Sequence, residues 1–118
     1  IQCVKRKKAH RGARVTQMRK LTAEDGHVLD AAIEGDSATA RGGVVVLQEI
    51  FGLNDHIRDL PGRFAAAGYY AVAPALFDRA ERGVALDYNP EGRDRGLALK
   101  AAVDGDAIFD VSAAIMAA

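Results

Sequence analysis

Apolar residues along the chain follow three kinds of spacing, and each predicts a different element. From Val28 to Glu34 they alternate, with Leu29, Ala31 and Ile33 on one face and Asp30 and Glu34 on the other. Period two over so short a stretch predicts a half-buried strand at a sheet edge. Residues 37–42 are small and polar, a turn. Residues 43–48 begin at a glycine and run through Val44, Val45, Val46 and Leu47 without alternation before the polar Gln48, which predicts a strand buried on both faces, as in the interior of a parallel sheet. Asn54 or Asp55 can cap the next element. Ile57, Leu60, Phe64 and Ala67 then recur three and four apart, the mark of an amphipathic helix. Pro61 removes a donor and disfavours helix in the residue before it, so the spacing predicts a loose turn over 55–59 and a regular helix from near Leu60. Gly68 closes that helix as its C′ residue.

Residues 69–76 form a second apolar run, ended by Pro74. Strand, helix and strand in this order make a right-handed βαβ unit with parallel strands. Residues 78–95 are rich in charge and glycine and predict an exposed connection. Residues 95–103 predict a helix, and Asp106 caps a last one with Ile108, Val111, Ile115 and Ala118 along one stripe. Two of the three strands are of the buried kind and need neighbours. The pattern is that of the front half of a larger α/β domain, with a mostly parallel sheet and flanking helices. An apolar sheet edge left unpaired invites self-association.

Charge divides the chain in two. Residues 1–20 hold eight of the 16 Lys and Arg and no acid, while residues 21–118 set the other eight against all 16 acids, a balance of −8. Residues 1–17 form a basic head, and 18–118 form the α/β part. The head suits a nucleic-acid-binding arm, an organellar targeting peptide, or a plain extension without fixed structure. Having no aromatic residue and no amphipathic period, it fits the last reading best. Cys3 and His10 lie in it. One cysteine excludes an internal disulfide framework and suits a reducing compartment, hence a cytoplasmic location. No stretch approaches the roughly 20 apolar residues that span a bilayer. The three histidines are scattered, so no metal or other cofactor is expected. Gly42-Gly43 precedes a strand and not a helix, which excludes a phosphate-cradling loop.

Glu49 follows the buried strand at its carboxyl end, where the crevice of a parallel sheet opens. The stretch containing it, Gln48-Glu-Ile-Phe-Gly-Leu-Asn54, together with Gly68-Tyr69 and Ala73-Pro-Ala-Leu-Phe-Asp-Arg79, resembles the dienelactone hydrolase (carboxymethylenebutenolidase) family. The resemblance extends more loosely from about Lys20 to Ala118. It implies a partial α/β-hydrolase fold, cut before the strand that carries the nucleophile. It also implies hydrolysis of small lactones or carboxylic esters by a cysteine–histidine–aspartate triad. Glu49 would pair with the thiol and help generate thiolate, which matters because a free thiol of pKa about 8.5 is mostly protonated near neutrality. The backbone N–H of Ile50 would supply one donor of the oxyanion hole. Arginines hold a substrate carboxylate through a bidentate fork, and Arg79, Arg93 and Arg95 are the candidates.

The triad itself is missing from the pattern. No Gly-x-Cys-x-Gly or Gly-x-Ser-x-Gly occurs, Ser112 sits in a predicted helix interior, and His27 and His56 come too early for the family's order. Ala75 stands where many relatives have aspartate. The sequence therefore predicts a chain inactive by itself, whose partner is a small lactone or ester and neither a membrane nor nucleic acid. The competing reading is a non-catalytic hydrolase half or binding protein, with the basic head contacting nucleic acid.

Overall fold

The computed structural model describes residues 2–5 and 17–118. Its strands are β1 (Gln2–Lys5), β2 (Gln17–Thr22), β3 (Val28–Glu34), β4 (Gly42–Val45) and β5 (Tyr70–Pro74). The helices are α1 (Asp55–Ala66), α2 (Pro90–Val103) and α3 (Ala107–Ala117), with a 3-10 turn at Leu76–Arg79. The strands join in one sheet of order β1-β4-β5-β3-β2.

The expected βαβ unit is present: β4 and β5 run parallel and α1 connects them. The sheet around it is mixed rather than mostly parallel, because β1–β4, β2–β3 and β3–β5 are antiparallel. A tight connection can join only antiparallel strands, and residues 23–27 form such a turn between β2 and β3. The Gly26 and Ala23 N–H groups donate to Ala23 and His27 carbonyls there, at 2.9 and 2.8 Å.

β3 is not an edge strand. It pairs with β5 on one side and β2 on the other, and Leu29, Ala31, Ala32 and Ile33 are all buried. The polar alternation that suggested an edge has local answers. Asp30 meets Lys20 across the β2 pairing at 2.6 Å. Glu34 is buried against α1, where a Cβ on Gly62 would lie 3.0 Å from its carboxylate. The outer side of β4 carries β1 in the register Gln2↔Val45 to Lys5↔Gly42. Five residues of the expected 1–17 extension are therefore strand, Gln2–Lys5 in β1 and Gln17 at the start of β2. Residues 6–16, with His10, and the Cys3 side chain lie outside the described residues.

Both faces of the central strands are covered, which is why their apolar runs do not alternate. On one face Ala32, Val44, Val46 and Ala73 pack with Leu53 and Ile57 beneath α1. On the other, Ala31, Ile33, Val45 and Val72 meet Ala114 of α3. Phe77, Val84, Leu99 and Val103 form a third cluster under α2.

Helix α1 starts one turn earlier than Pro61 suggested. The Asn54 side chain accepts the Ile57 N–H at 3.1 Å and the Asn54 carbonyl accepts the Arg58 N–H at 2.9 Å, so capping fixes the start and Pro61 is carried inside. At the other end Gly68 has φ +99°, with its N–H donating to Ala65 and that of Tyr69 to Phe64. This paired closure is the Schellman arrangement that a C′ glycine permits. Helix α2 starts at Pro90, not 95. Asn89 accepts the Gly92 N–H at 2.7 Å and Pro90 occupies the first position. In α3 the buried face is Asp110 and Ala114, while Ile108, Ile115 and Met116 are exposed. The small alanine lets this helix approach the sheet closely, which overturns the expected Ile108–Ile115 stripe.

Candidate functional site

Strands β4 and β5 end side by side, and Gln48 ties the ends together. Its Oε1 accepts the Leu76 N–H at 2.9 Å while its Nε2 donates to the Glu49 carbonyl at 3.1 Å. A side-chain amide that both accepts and donates can bridge two backbones in this way. The bridge fixes the peptide leading into Glu49, which sits on the loop beyond the carboxyl end of β4. The Gly52 N–H then closes a tight turn onto the Glu49 carbonyl at 3.2 Å. Gly52 has φ +78°, a left-handed conformation that glycine adopts without strain.

Glu49 is exposed at this rim. Among the described residues its carboxylate accepts one hydrogen bond, from the Tyr88 hydroxyl to Oε1 at 3.2 Å. Among the described residues no backbone amide donates to it, so it is not the saturated strand-end carboxylate of an ordinary loop. No hydrogen bond among the described residues takes up the Ile50 N–H. The Ile50 carbonyl is held on its other side by α2, where a Cβ on Gly96 would fall 2.0 Å from it. A carboxylate and a free backbone donor on adjacent residues thus occupy a corner fixed from two directions.

The three candidate arginines are not gathered at this corner by any ion pair or hydrogen bond among the described residues. Arg79 is committed elsewhere. Its Nε and Nη2 donate to Asp110 at 2.8 and 3.1 Å, and its Nη1 and Nη2 reach Asp25 at 2.8 and 2.9 Å. Asp110 is wholly buried. The fork that could hold a substrate carboxylate is filled by two protein carboxylates, tying α3 to the β2–β3 turn. Its hydrogen bonds to Asp25 and then Asp110 hold the guanidinium protonated even more firmly than usual. The reciprocal effect, led by the Arg79 hydrogen bond, lowers the Asp25 pKa from 3.8 to about 2. Arg95 pairs with Glu81, and Arg93 lies 3.9 Å from Asp94; both arginines are exposed.

The dienelactone hydrolase family model matches residues 29–118. The chain belongs to the dienelactone hydrolase family. It is 33% identical over 103 residues to the carboxymethylenebutenolidase of Pseudomonas putida, covering 86% of this chain and 44% of that protein. It is 51% identical over 57 residues to an inferred carboxymethylenebutenolidase of Synechocystis, covering 48% and 23% of the two chains. A solved structure from Klebsiella pneumoniae, assigned as a dienelactone hydrolase, superposes with a TM-score of 0.67 at 28% identity, covering 86% of this chain and 42% of that one. The chain thus spans less than half the length of these relatives, and its fold is the corresponding portion of an α/β hydrolase. Among the described residues no group of three His, Cys, Asp or Glu could hold a metal ion, and no helix is long and apolar enough to cross a membrane.

Sequence reasoning missed Tyr88, because it lies in a stretch read as an exposed connection. A signal was present. Val84, Ala85 and Leu86 interrupt the charged stretch as an apolar triplet, and Asn89-Pro90 announces the start of α2. Tyr88 falls between the two. Asp25 and Asp110 were missed as partners of Arg79 for a plainer reason: pairing across 54 and 31 residues leaves no local trace.

Proposed function

We propose that this chain is part of a hydrolase for small lactones or related carboxylic esters, working through a Cys-His-Asp triad that lies outside these residues. The observation that carries the reading is Glu49: a lightly held, exposed carboxylate at the carboxyl rim of the β4–β5 pair, inside the family motif. In this reading the thiol of the triad approaches Glu49, which favours thiolate as substrate arrives. The thiolate attacks the ester carbonyl, and the developing oxyanion receives the Ile50 N–H. One such preorganised donor contributes on the order of 3 kcal/mol to the transition state. A substrate carboxylate falls to Arg93 or Arg95, since the Arg79 fork is occupied.

The test is steady-state hydrolysis of a five-membered enol-lactone and of 4-nitrophenyl acetate by the full-length protein. Turnover abolished by iodoacetamide, and protected by lactone, is the expected result. A protein that turns over neither ester, or that keeps full turnover after every thiol is alkylated, would end this reading.

A further inference from the structure

Glu49 owes its placement to a segment outside the family motif. Residues 84–86 run antiparallel against 51–53, with the Leu86 N–H donating to Phe51 at 2.8 Å, the Leu53 N–H donating to Val84 at 3.2 Å, and Gly52 bridged to Ala85. The approach is close enough that a Cβ on Gly52 would lie 2.3 Å from the Val84 carbonyl. Just beyond this zipper the Asn89 cap and Pro90 start α2, so Tyr88 is fixed from both sides. Its ring packs edge-on against Phe51, centroids 4.6 Å apart at 73°, and its hydroxyl reaches Glu49 Oε1 at 3.2 Å.

We infer that Tyr88 is a positioning residue for Glu49, holding one carboxylate oxygen so that the other stays available to a reacting group. A glutamate at an exposed rim otherwise samples several rotamers, and restricting them costs free energy that a pre-built contact removes before substrate arrives. The phenol suits the task because it is anchored by its ring and donates through its tip. Among the described residues this is the one hydrogen bond made by the Glu49 carboxylate, the Gln48 side chain reaching only its backbone carbonyl. The inference deepens the hydrolase reading and rests on it for its kinetic consequence.

The experiment compares the full-length wild type with Tyr88→Phe, Glu49→Gln and the double variant. Phenylalanine keeps the ring against Phe51 and removes only the donor. Tyr88→Phe should lower kcat about tenfold, the scale of one hydrogen bond to a charged group, with KM within about twofold and an unchanged melting temperature. The double variant should be no slower than Glu49→Gln, because a residue acting through Glu49 has nothing left to position. Wild-type kcat in Tyr88→Phe, or losses that simply add, would overturn the inference. If the wild type hydrolyses nothing, the hydrolase reading fails instead. The positioning claim is then decided by NMR of the same protein: a through-space contact between the Tyr88 ring and the Glu49 side chain supports it, and its absence overturns it.

Discussion

Asp110 and Glu49 are two carboxylates of one chain at opposite extremes of satisfaction. Asp110 has no exposed surface and is gripped by two donors of Arg79. Glu49 is exposed and takes one phenolic hydrogen bond. A buried charge must be paired or the fold loses stability, so Asp110 is committed to Arg79. A carboxylate free to change partners is what assisting a nucleophile requires. The contrast separates a charge that holds the fold from one that the proposed hydrolase reading uses for chemistry, even though Arg79 sits inside a family motif and Asp110 does not.

Breaking the buried side of this contrast should have the largest effect. Arg79→Ala leaves Asp110 uncompensated and should cost about 3–5 kcal/mol in urea unfolding. A loss below about 1 kcal/mol would mean that the network contributes little. Next comes the packing that fixes the Ile50 peptide. Gly96→Ala puts a Cβ 2.0 Å from the Ile50 carbonyl, and overpacking of this kind costs about 1–3 kcal/mol. Gly26→Ala is the control, with φ +91° but open space around the new Cβ. It should cost only the left-handed backbone term of about 1–2 kcal/mol and leave hydrolysis untouched, whereas Gly96→Ala should impair it.

Asp25 gives a smaller, pH-dependent signature. Its folded pKa of about 2 lies below the ordinary 3.8. The carboxylate therefore adds stability that is complete above the ordinary value and disappears as pH falls through about 4 towards 2. Against Asp25→Asn, the wild type should show an excess loss of stability in that window and parallel behaviour above pH 5. Equal acid profiles would remove Asp25 from the network. Smallest of all, Arg63→Ala breaks an exposed pair with Asp59 at 2.9 Å and should change stability by no more than about 0.5 kcal/mol.

Legibility in the sequence tracks the range of each interaction. The β4–α1–β5 unit was legible because burial on both faces writes itself as continuous apolar runs, and Gly68 as a positive-φ cap. The corner at Glu49 was legible because a contiguous motif carries it. Helix starts were misplaced where capping outweighed proline: Asn54 sets α1 ahead of Pro61, and Asn89 uses Pro90 as a first residue. β2 escaped notice because its residues are mostly exposed, which gives an edge strand no apolar period. In α3 the contact with the sheet is made by Ala114 while the isoleucines face outward, so hydrophobicity alone chose the wrong face. The Arg79 network depends on tertiary proximity alone, whereas the sequence signals order around Tyr88 but not that its hydroxyl reaches Glu49.

If Glu49 is kept for chemistry and not for stability, Glu49→Gln in the full-length protein tests this most directly, with kcat/KM for lactone hydrolysis and urea unfolding measured on one preparation. The expected result is a fall in kcat/KM of about a hundredfold, within the range for acid–base groups, and a change in unfolding free energy within about 0.5 kcal/mol. Unchanged hydrolysis, or a stability loss of several kcal/mol accompanying the drop, would contradict it.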